Sequence, residues 1–278
     1  MAATVGTITA RDNPLLVRLR RLAAQPDAYR RAGRVLLEGE HLCAAWSERR
    51  GGAGVHAVVT RAAWERSAIR ALAVSAEQVS VVDEKLLATA GSLDSAAPIA
   101  FIAPWPGAGS VVPGTAAVVL DRLQDAGNVG TILRSAAALG AAQVVALKGT
   151  AALWSPKVLR AGMGAHLALH LVEGADLEAL EALGVPLVAA SAHAEAELPE
   201  AELPWPCAWV LGHEGQGLDE ALEARCDLRV RIPQPGGEES LNVATAAAIC
   251  LYESARQRRA GESAPRPATP GAPKRGRS

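Results

Sequence analysis

The chain is predicted to be an α/β protein in two units, and three observations carry that expectation. Half of its 278 residues are hydrophobic but only 3% are aromatic, so the core is built from Ala, Val and Leu, a composition that suits helices packed closely on a sheet. Short apolar runs of strand length alternate with helical patterns along most of the chain. At 105–114 the stretch "WPGAGSVVPG" breaks that alternation with Pro and Gly and has no periodicity, as a linker does.

Before the linker, in residues 1–104, a basic helical stretch "NPLLVRLRRLAAQ" leads into "RVLLEG", "EHLCAAWSER", "VHAVVT", "RAAWERSAIRAL", "QVSVVD", "EKLLATA" and "PIAFIAP", the elements of a small α/β unit. After it, in 115–258, come "AAVVLD", a helix from about Asn128 to Leu139, "QVVALK", "PKVLRAGMG", "LALHLV", "LEALEAL", "PLVAAS", "AWVLG", "LDEALEA", "LRVRIP" and a last helix that is apolar on nearly every side from Val243 to Leu251. Strands apolar at almost every position predict a mostly parallel sheet covered on both faces. Residues 259–278, rich in Pro, Gly, Ser and Arg, read as a disordered basic tail.

Several function classes drop out. No apolar run approaches the ~18 residues of a membrane span, and the N-terminus lacks the charged-then-apolar order of a signal peptide, so a soluble cytoplasmic protein is expected. Cys43, Cys207, Cys226 and Cys250 have neither CxxC spacing nor a neighbouring His cluster, which points to no disulfide framework and no metal site. The net charge of −1 conceals basic ends: Arg18, Arg20, Arg21, Arg30, Arg31 and Arg34 near the start, and Arg256, Arg258, Arg259, Arg266, Lys274, Arg275 and Arg277 near the finish. Such ends suit a polyanion such as RNA, and equally suit solvated helix faces and tails.

In parallel sheets ligands gather where strands lead into helix N-termini, and three such junctions stand out. In "LDRLQDAGNVGTILRSAAALG", Val129, Ile132, Leu133, Ala136 and Gly140 form the buried stripe, which turns Gly130 and Arg134 onto another face. Asn128 is placed to cap the helix; Gly130 would leave space beside Arg134 for a ligand, or Arg134 is merely solvated. In "WVLGHEGQGLDEAL", Gly212, Gly215 and Gly217 flank Glu214, either as a close backbone approach to a ligand or as an ordinary tight loop. It is not a P-loop, so nucleotide-triphosphate chemistry is unsupported. In "VRIPQPGGEESLNVATAAAIC", Ser240 reads by default as the helix N-cap, whereas Asn242 lacks an obvious duty inside an apolar helix.

Taken in order, "NVGTILR", "GHEGQG" and "RIPQPGGEESLNVATAAAICLYE" resemble the three signature motifs of the SpoU/TrmH-type RNA 2′-O-ribose methyltransferases of the SPOUT superfamily. The likeness covers about 114–258, and "SPKVLRAGMGAH" is similar to that family's Ser-x-x-x-x-Arg-Ala-Ser-x-Gly-Ala stretch. The N-terminal unit is similar to the ribosomal-protein-like substrate-binding module that many members carry. The resemblance implies a C-terminal domain with a trefoil knot, bent S-adenosylmethionine as cofactor, and a homodimer formed through that domain. By motif position it implies cofactor contacts at Ala190, Gly212, Ile232 and Leu241, and catalytic roles for Arg134, Asn128, Glu214, Ser240 and Asn242. The sequence departs from the family at Ala126, where Pro is usual, and at Gly162, where Ser is common and its hydrogen bond is missing.

The activity so implied is methyl transfer from S-adenosylmethionine to a ribose 2′-hydroxyl, in ribosomal RNA rather than tRNA. Because a guanidinium stays protonated, Arg134 is expected to grip a substrate phosphate and stabilise the developing alkoxide rather than act as a base. The alternatives are a tRNA substrate, or a non-catalytic RNA-binding protein on the same scaffold; a nucleotide-dependent oxidoreductase lacks its dinucleotide fingerprint.

Overall fold

The computed structural model describes residues 3–92, 97–236 and 240–263. The N-terminal unit runs β1 (Thr4–Ile8), α1 (Pro14–Ala24), α2 (Ala28–Ala32), β2 (Arg34–Glu38), α3 (Glu40–Arg50), β3 (His56–Thr60), α4 (Arg61–Trp64), α5 (Ser67–Ala73), β4 (Gln78–Val82), α6 (Glu84–Ala88) and β5 (Ile99–Pro104). Its sheet has the order β1-β4-β3-β5-β2, parallel on the β1 side and antiparallel where β5 meets β3 and β2. The stretch predicted as one helix, "RAAWERSAIRAL", breaks into α4 and α5, because Thr60 caps the first turn and Arg66 takes an extended conformation before the second. The strand β1 was not anticipated; its mostly exposed residues lack the burial pattern that marks the other strands.

The C-terminal unit runs β6 (Ala117–Leu120), α7 (Ala126–Leu139), β7 (Gln143–Leu147), α8 (Pro156–Gly162), β8 (His170–Ala175), β9 (Leu187–Ala190), the short β10 (Ala196–Glu197), β11 (Ala208–Leu211), α9 (Glu220–Glu223), β12 (Leu228–Arg231) and α10 (Val243–Ser263). All seven strands are parallel, in the order β10-β12-β9-β11-β6-β7-β8. The predicted helix "LEALEAL" is instead a 3-10 segment, Glu178–Leu183. The period-2 alternation of β6 explains its placement at the sheet's centre: Val118 and Leu120 enter the core on one face, Ala117 and Val119 a second core on the other. From β6 the chain builds outward through β7 and β8, then crosses to build the opposite half. That reversal creates a switch point at the carboxyl ends of β6 and β11, where open parallel sheets hold ligands. Among the described residues no helix is long and apolar enough to cross a membrane.

The linker at 105–114 has no regular element, yet it is fastened along its length. Trp105 packs edge-on against Tyr29 at 5.4 Å, and Ala108 accepts from Glu173 N at 2.8 Å. Val112 N donates to the Gln143 side chain at 3.0 Å, and Gly114 N to Leu183 O at 2.8 Å. At the other end of the domain α10 runs to Ser263, past the boundary expected at Arg258; the rest of the expected tail, 264–278, lies outside the described residues.

The two units exchange buried carboxylates. Glu38 of β2, its side chain 3% exposed, accepts from Ser92 N at 2.8 Å, from the Ser92 hydroxyl, and from Arg160 of α8 at 3.4 Å. In the reverse direction Glu173 of β8, also 3% exposed, accepts from the Tyr29 hydroxyl at 2.5 Å, from Arg30 at 3.1 Å and from Leu153 N at 2.8 Å. Burial, reinforced by Glu173, pushes the Tyr29 hydroxyl well above the usual phenol range, so it stays a donor. A buried ion pair adds little over an apolar substitute, but removing one partner strands the other charge. Arg160→Met should therefore cost about 3 kcal/mol in urea unfolding of the whole chain, and Arg160→Met with Glu38→Gln should cost less than the two changes summed; additive losses would mean that the pair is not coupled.

Candidate functional site

The first junction begins at Asp121, just past β6. Its buried carboxylate accepts from Asp219 N at 2.9 Å and is gripped by both ends of the Arg122 guanidinium, at 2.9 and 3.0 Å. Arg122 adopts φ 56, uncommon for a residue with a side chain, and reaches the Gln216 side chain at 3.3 Å. The cap of α7 is Asp125, whose carboxylate accepts from Asn128 N at 2.8 Å, and not Asn128 as the sequence suggested. Asn128 lies inside the first turn, which frees its carboxamide for other partners. Val129, Ile132, Leu133 and Ala136 are fully buried as predicted, each of the three larger ones stabilising by about 1.5–3 kcal/mol, whereas Gly140, the last of the predicted stripe, is exposed as the left-handed C-cap of α7. Gly130 does not open space for a ligand: it is buried, and a Cβ there would collide with Ala161 and approach Gly162 N at 2.8 Å. Its missing side chain lets α7 lie against α8.

The second junction is a knuckle closed by a pair of backbone hydrogen bonds between His213 and Gly217, both 2.9 Å. The His213 Nδ1 accepts from Gly215 N at 3.0 Å and Gln216 N at 3.2 Å. Gly212 is needed because the returning chain crosses it: a Cβ would lie 2.5 Å from Gly217 C and Leu218 N. The knuckle aims Glu214 at the first junction, where its carboxylate accepts from Gln124 N at 3.4 Å, Asp125 N at 3.2 Å and Asn128 Nδ2 at 3.1 Å. Burial alone would raise the Glu214 carboxyl, but these hydrogen bonds outweigh it and hold it below the usual value.

The third junction corrects the reading of its helix. Asn242, not Ser240, caps α10: its Oδ1 accepts from Ala244 N at 2.9 Å and Thr245 N at 3.3 Å. Its Nδ2 donates to Asn128 Oδ1 at 2.9 Å. The three junctions thus join in one relay, Glu214 to Asn128 to Asn242. The helix behind is also not buried all round; Ala244, Ala247, Cys250 and Leu251 face the core while Thr245 and Tyr252 face out.

Beside the relay lies a cavity of about 960 Å³, walled by the aliphatic Ala190, Leu211, Val230 and Ile232 and by the polar Glu214, Ser240 and Asn242. Gly212 and Leu241 line it too, so seven of the nine residues singled out in the sequence meet there. Asn128 joins through its hydrogen bonds. Arg134 does not: it is exposed on α7, and among the described residues no hydrogen bond or ion pair holds it. Sequence reasoning missed Asp121, Arg122 and His213, whose duties are to bind one loop to another; only the Asp at a strand's end hinted at them.

Gly162, where the motif led one to expect Ser, is explained by His166. A Cβ at Gly162 would stand 2.5 Å from His166 Cε1. The imidazole takes that volume, hydrogen-bonded through Nε2 to Leu153 O at 2.8 Å and fully buried against Trp154. Of the six N-terminal arginines, Arg20 bonds to Arg11 O, Arg34 to Gly54 O, Arg30 to Glu173 and Arg31 to the Gln25 side chain, which leaves Arg18 and Arg21 exposed on α1.

The chain is similar to known proteins. The family model described as SpoU rRNA Methylase matches residues 115–252. An uncharacterized tRNA/rRNA methyltransferase of Synechocystis sp. is 33% identical over 272 residues, 92% of this chain and 96% of that protein. The 23S rRNA (guanosine-2'-O-)-methyltransferase RlmB of Pseudomonas syringae pv. tomato is 37% identical over 147 residues, 51% of this chain and 59% of its own. Among solved structures, the SpoU methyltransferase AviRb from Streptomyces viridochromogenes, in complex with the cofactor AdoMet, superposes with a TM-score of 0.80 at 25% identity, over 89% of this chain and 98% of AviRb.

Burial pushes the His166 imidazole down to about 4. Its unfolded value is near ~6.5, so the unfolded chain binds the extra proton first and stability falls with pH between those values. Urea unfolding at pH 7 and pH 5 should show wild type losing about 2 kcal/mol more than His166→Gln, which cannot titrate; equal losses would count against the buried neutral ring.

Proposed function

The chain belongs to the SpoU rRNA methylase family, and on that premise we propose that it is an S-adenosylmethionine-dependent methyltransferase acting on a ribose 2′-hydroxyl of ribosomal RNA. The observation that carries this reading is the Glu214–Asn128–Asn242 relay, two of whose members line the cavity. A cytoplasmic setting goes with that substrate.

The cavity fits the cofactor. At about 960 Å³ it lies within the ~300–1,000 Å³ of small-molecule sites. Its aliphatic walls at Ala190, Leu211, Val230 and Ile232 suit a purine, and Ser240, Leu241 and Asn242 suit the polar end of an amino acid. Bound there, S-adenosylmethionine supplies an activated methyl group on a sulfonium.

The protein's part is alignment, a dry site and a path for the hydroxyl proton. The relay is suited to hold the ribose hydroxyl in line with the methyl group. Glu214, spending its lone pairs on Gln124 N, Asp125 N and Asn128, is a poor base and a good anchor. Arg134 is assigned to grip the substrate phosphate and stabilise the developing alkoxide, the phosphate assisting the departure of the hydroxyl proton to solvent. It lies six residues beyond Asn128, about 9 Å along the helix, so RNA bridges from the cavity mouth across α7. Arg18 and Arg21 on α1 are placed to hold RNA phosphates farther out.

Two features of architecture belong to the same reading. A trefoil knot is supported by β11 lying between β6 and β9 and by the chain crossing hard against Gly212. A homodimer through the C-terminal domain is supported by α10, where Tyr252 is 61% exposed beside half-covered Ala248 and Ile249.

Labelled S-adenosylmethionine and ribosomal RNA should yield 2′-O-methylribose. Arg134→Ala should lower kcat at least about a hundredfold with cofactor affinity unchanged; full activity in that variant would sink its assigned role. Calorimetry showing no cofactor binding would favour a non-catalytic RNA-binding protein, and transfer into tRNA alone would redirect the substrate. Sedimentation should give twice the 28.7 kDa chain mass, with Tyr252→Asp shifted toward the monomer; a monomeric wild type refutes the interface.

A further inference from the structure

His213 has two tasks that its neighbours' roles leave unexplained. It lines the cavity, and it immediately precedes Glu214, the carboxylate that ties the second junction to the first. Its ring faces its own loop: Nδ1 accepts from Gly215 N at 3.0 Å and from Gln216 N at 3.2 Å. A nitrogen that receives two N–H donors carries no proton, so the ring in this shape is neutral with its hydrogen on Nε2. The same loop is closed by the His213–Gly217 backbone pair and presents Gly212, Glu214 and Gly217 to the cavity. The loop's backbone has three glycines in six residues, so its own shape is set by these hydrogen bonds, while the side chains of Glu214 and Gln216 tie it to the first junction.

We propose that His213 is a positioning residue for cofactor binding: its unprotonated Nδ1 holds the knuckle that forms one wall of the cavity, and protonation releases it, so that cofactor affinity falls as the imidazole becomes charged. A proton on Nδ1 would point at two amide hydrogens, and both hydrogen bonds would be lost together. Histidine is the side chain that ordinarily changes charge between about pH 5 and 8. The charged and titratable groups around the knuckle are Glu214 on the loop itself, Asp121 and Arg122 after β6, Asp219 and Glu223 at α9, and His193 after β9. His193, exposed on the cavity rim, is the competing source of a pH effect.

This inference rests on the cavity being the S-adenosylmethionine site. The probe is S-adenosylhomocysteine, titrated calorimetrically into the full chain from pH 5.5 to pH 8. Wild type should bind about tenfold more weakly at the acid end, as expected for two lost hydrogen bonds. Asn at this position offers a side-chain oxygen that can accept the same amide two residues on, and it does not titrate. His213→Asn should therefore match wild type at pH 8 and show a flat profile, while His213→Ala should bind weakly at every pH and His193→Gln should keep the wild-type slope. A wild-type slope retained in His213→Asn, or lost in His193→Gln, overturns the proposal, as does a flat wild-type profile. No binding by wild type at any pH would overturn the methyl-transfer reading itself, and the role of His213 with it.

Discussion

The site depends on the carboxamide of Asn128. It donates to Glu214 and accepts from Asn242, so one side chain joins loops that follow three different strands. Asp in its place could not donate, and Ala could do neither. The bonds are exposed enough that each stabilises by only about 1 kcal/mol, so their value lies in geometry: they set where the cavity ends. Asn128 is free to do this because Asp125 takes over the capping of α7.

Around that bond the fold supplies support in layers. Arg122 and Asp121 hold the second loop from beneath, at Gln216 and Asp219 N. Behind α7, Gly130 lets α8 come close enough to back the helix that carries Asn128. The far side of α8 carries Arg160, which reaches Glu38 in the N-terminal unit. A chain of packing therefore runs from the basic helix α1 and its domain to the relay, and the fastened linker keeps that chain short. The N-terminal unit and the cavity are in consequence mechanically connected rather than loosely tethered.

His166 and Gly162 illustrate how a departure from a motif is absorbed. Ser at 162 would need space that the imidazole fills, so the two positions are one packing decision. The cost is a buried ring that must remain neutral. Likewise, four of the six N-terminal arginines that suggested RNA binding are spent on the protein's own carbonyl and carboxylate oxygens, and net charge along a sequence cannot distinguish these from the others.

The sequence by itself determined what is local. The continuously apolar strands, the stripe Val129, Ile132, Leu133 and Ala136, and the glycine-rich junctions follow from patterns a few residues long, and the structure keeps them. Together with the family resemblance, which alone supplied Ala190, Ile232 and Leu241, it singled out seven residues that meet in one cavity. It misassigned Asn128 and Ser240 as caps and Gly130 as open space. Whether a polar group caps a helix or reaches across a site depends on partners 86 and 114 positions away, and those are brought within 3.1 and 2.9 Å only by the strand order. Only the tertiary structure, by placing β11 against β6, decides which hydrogen bonds those side chains can make.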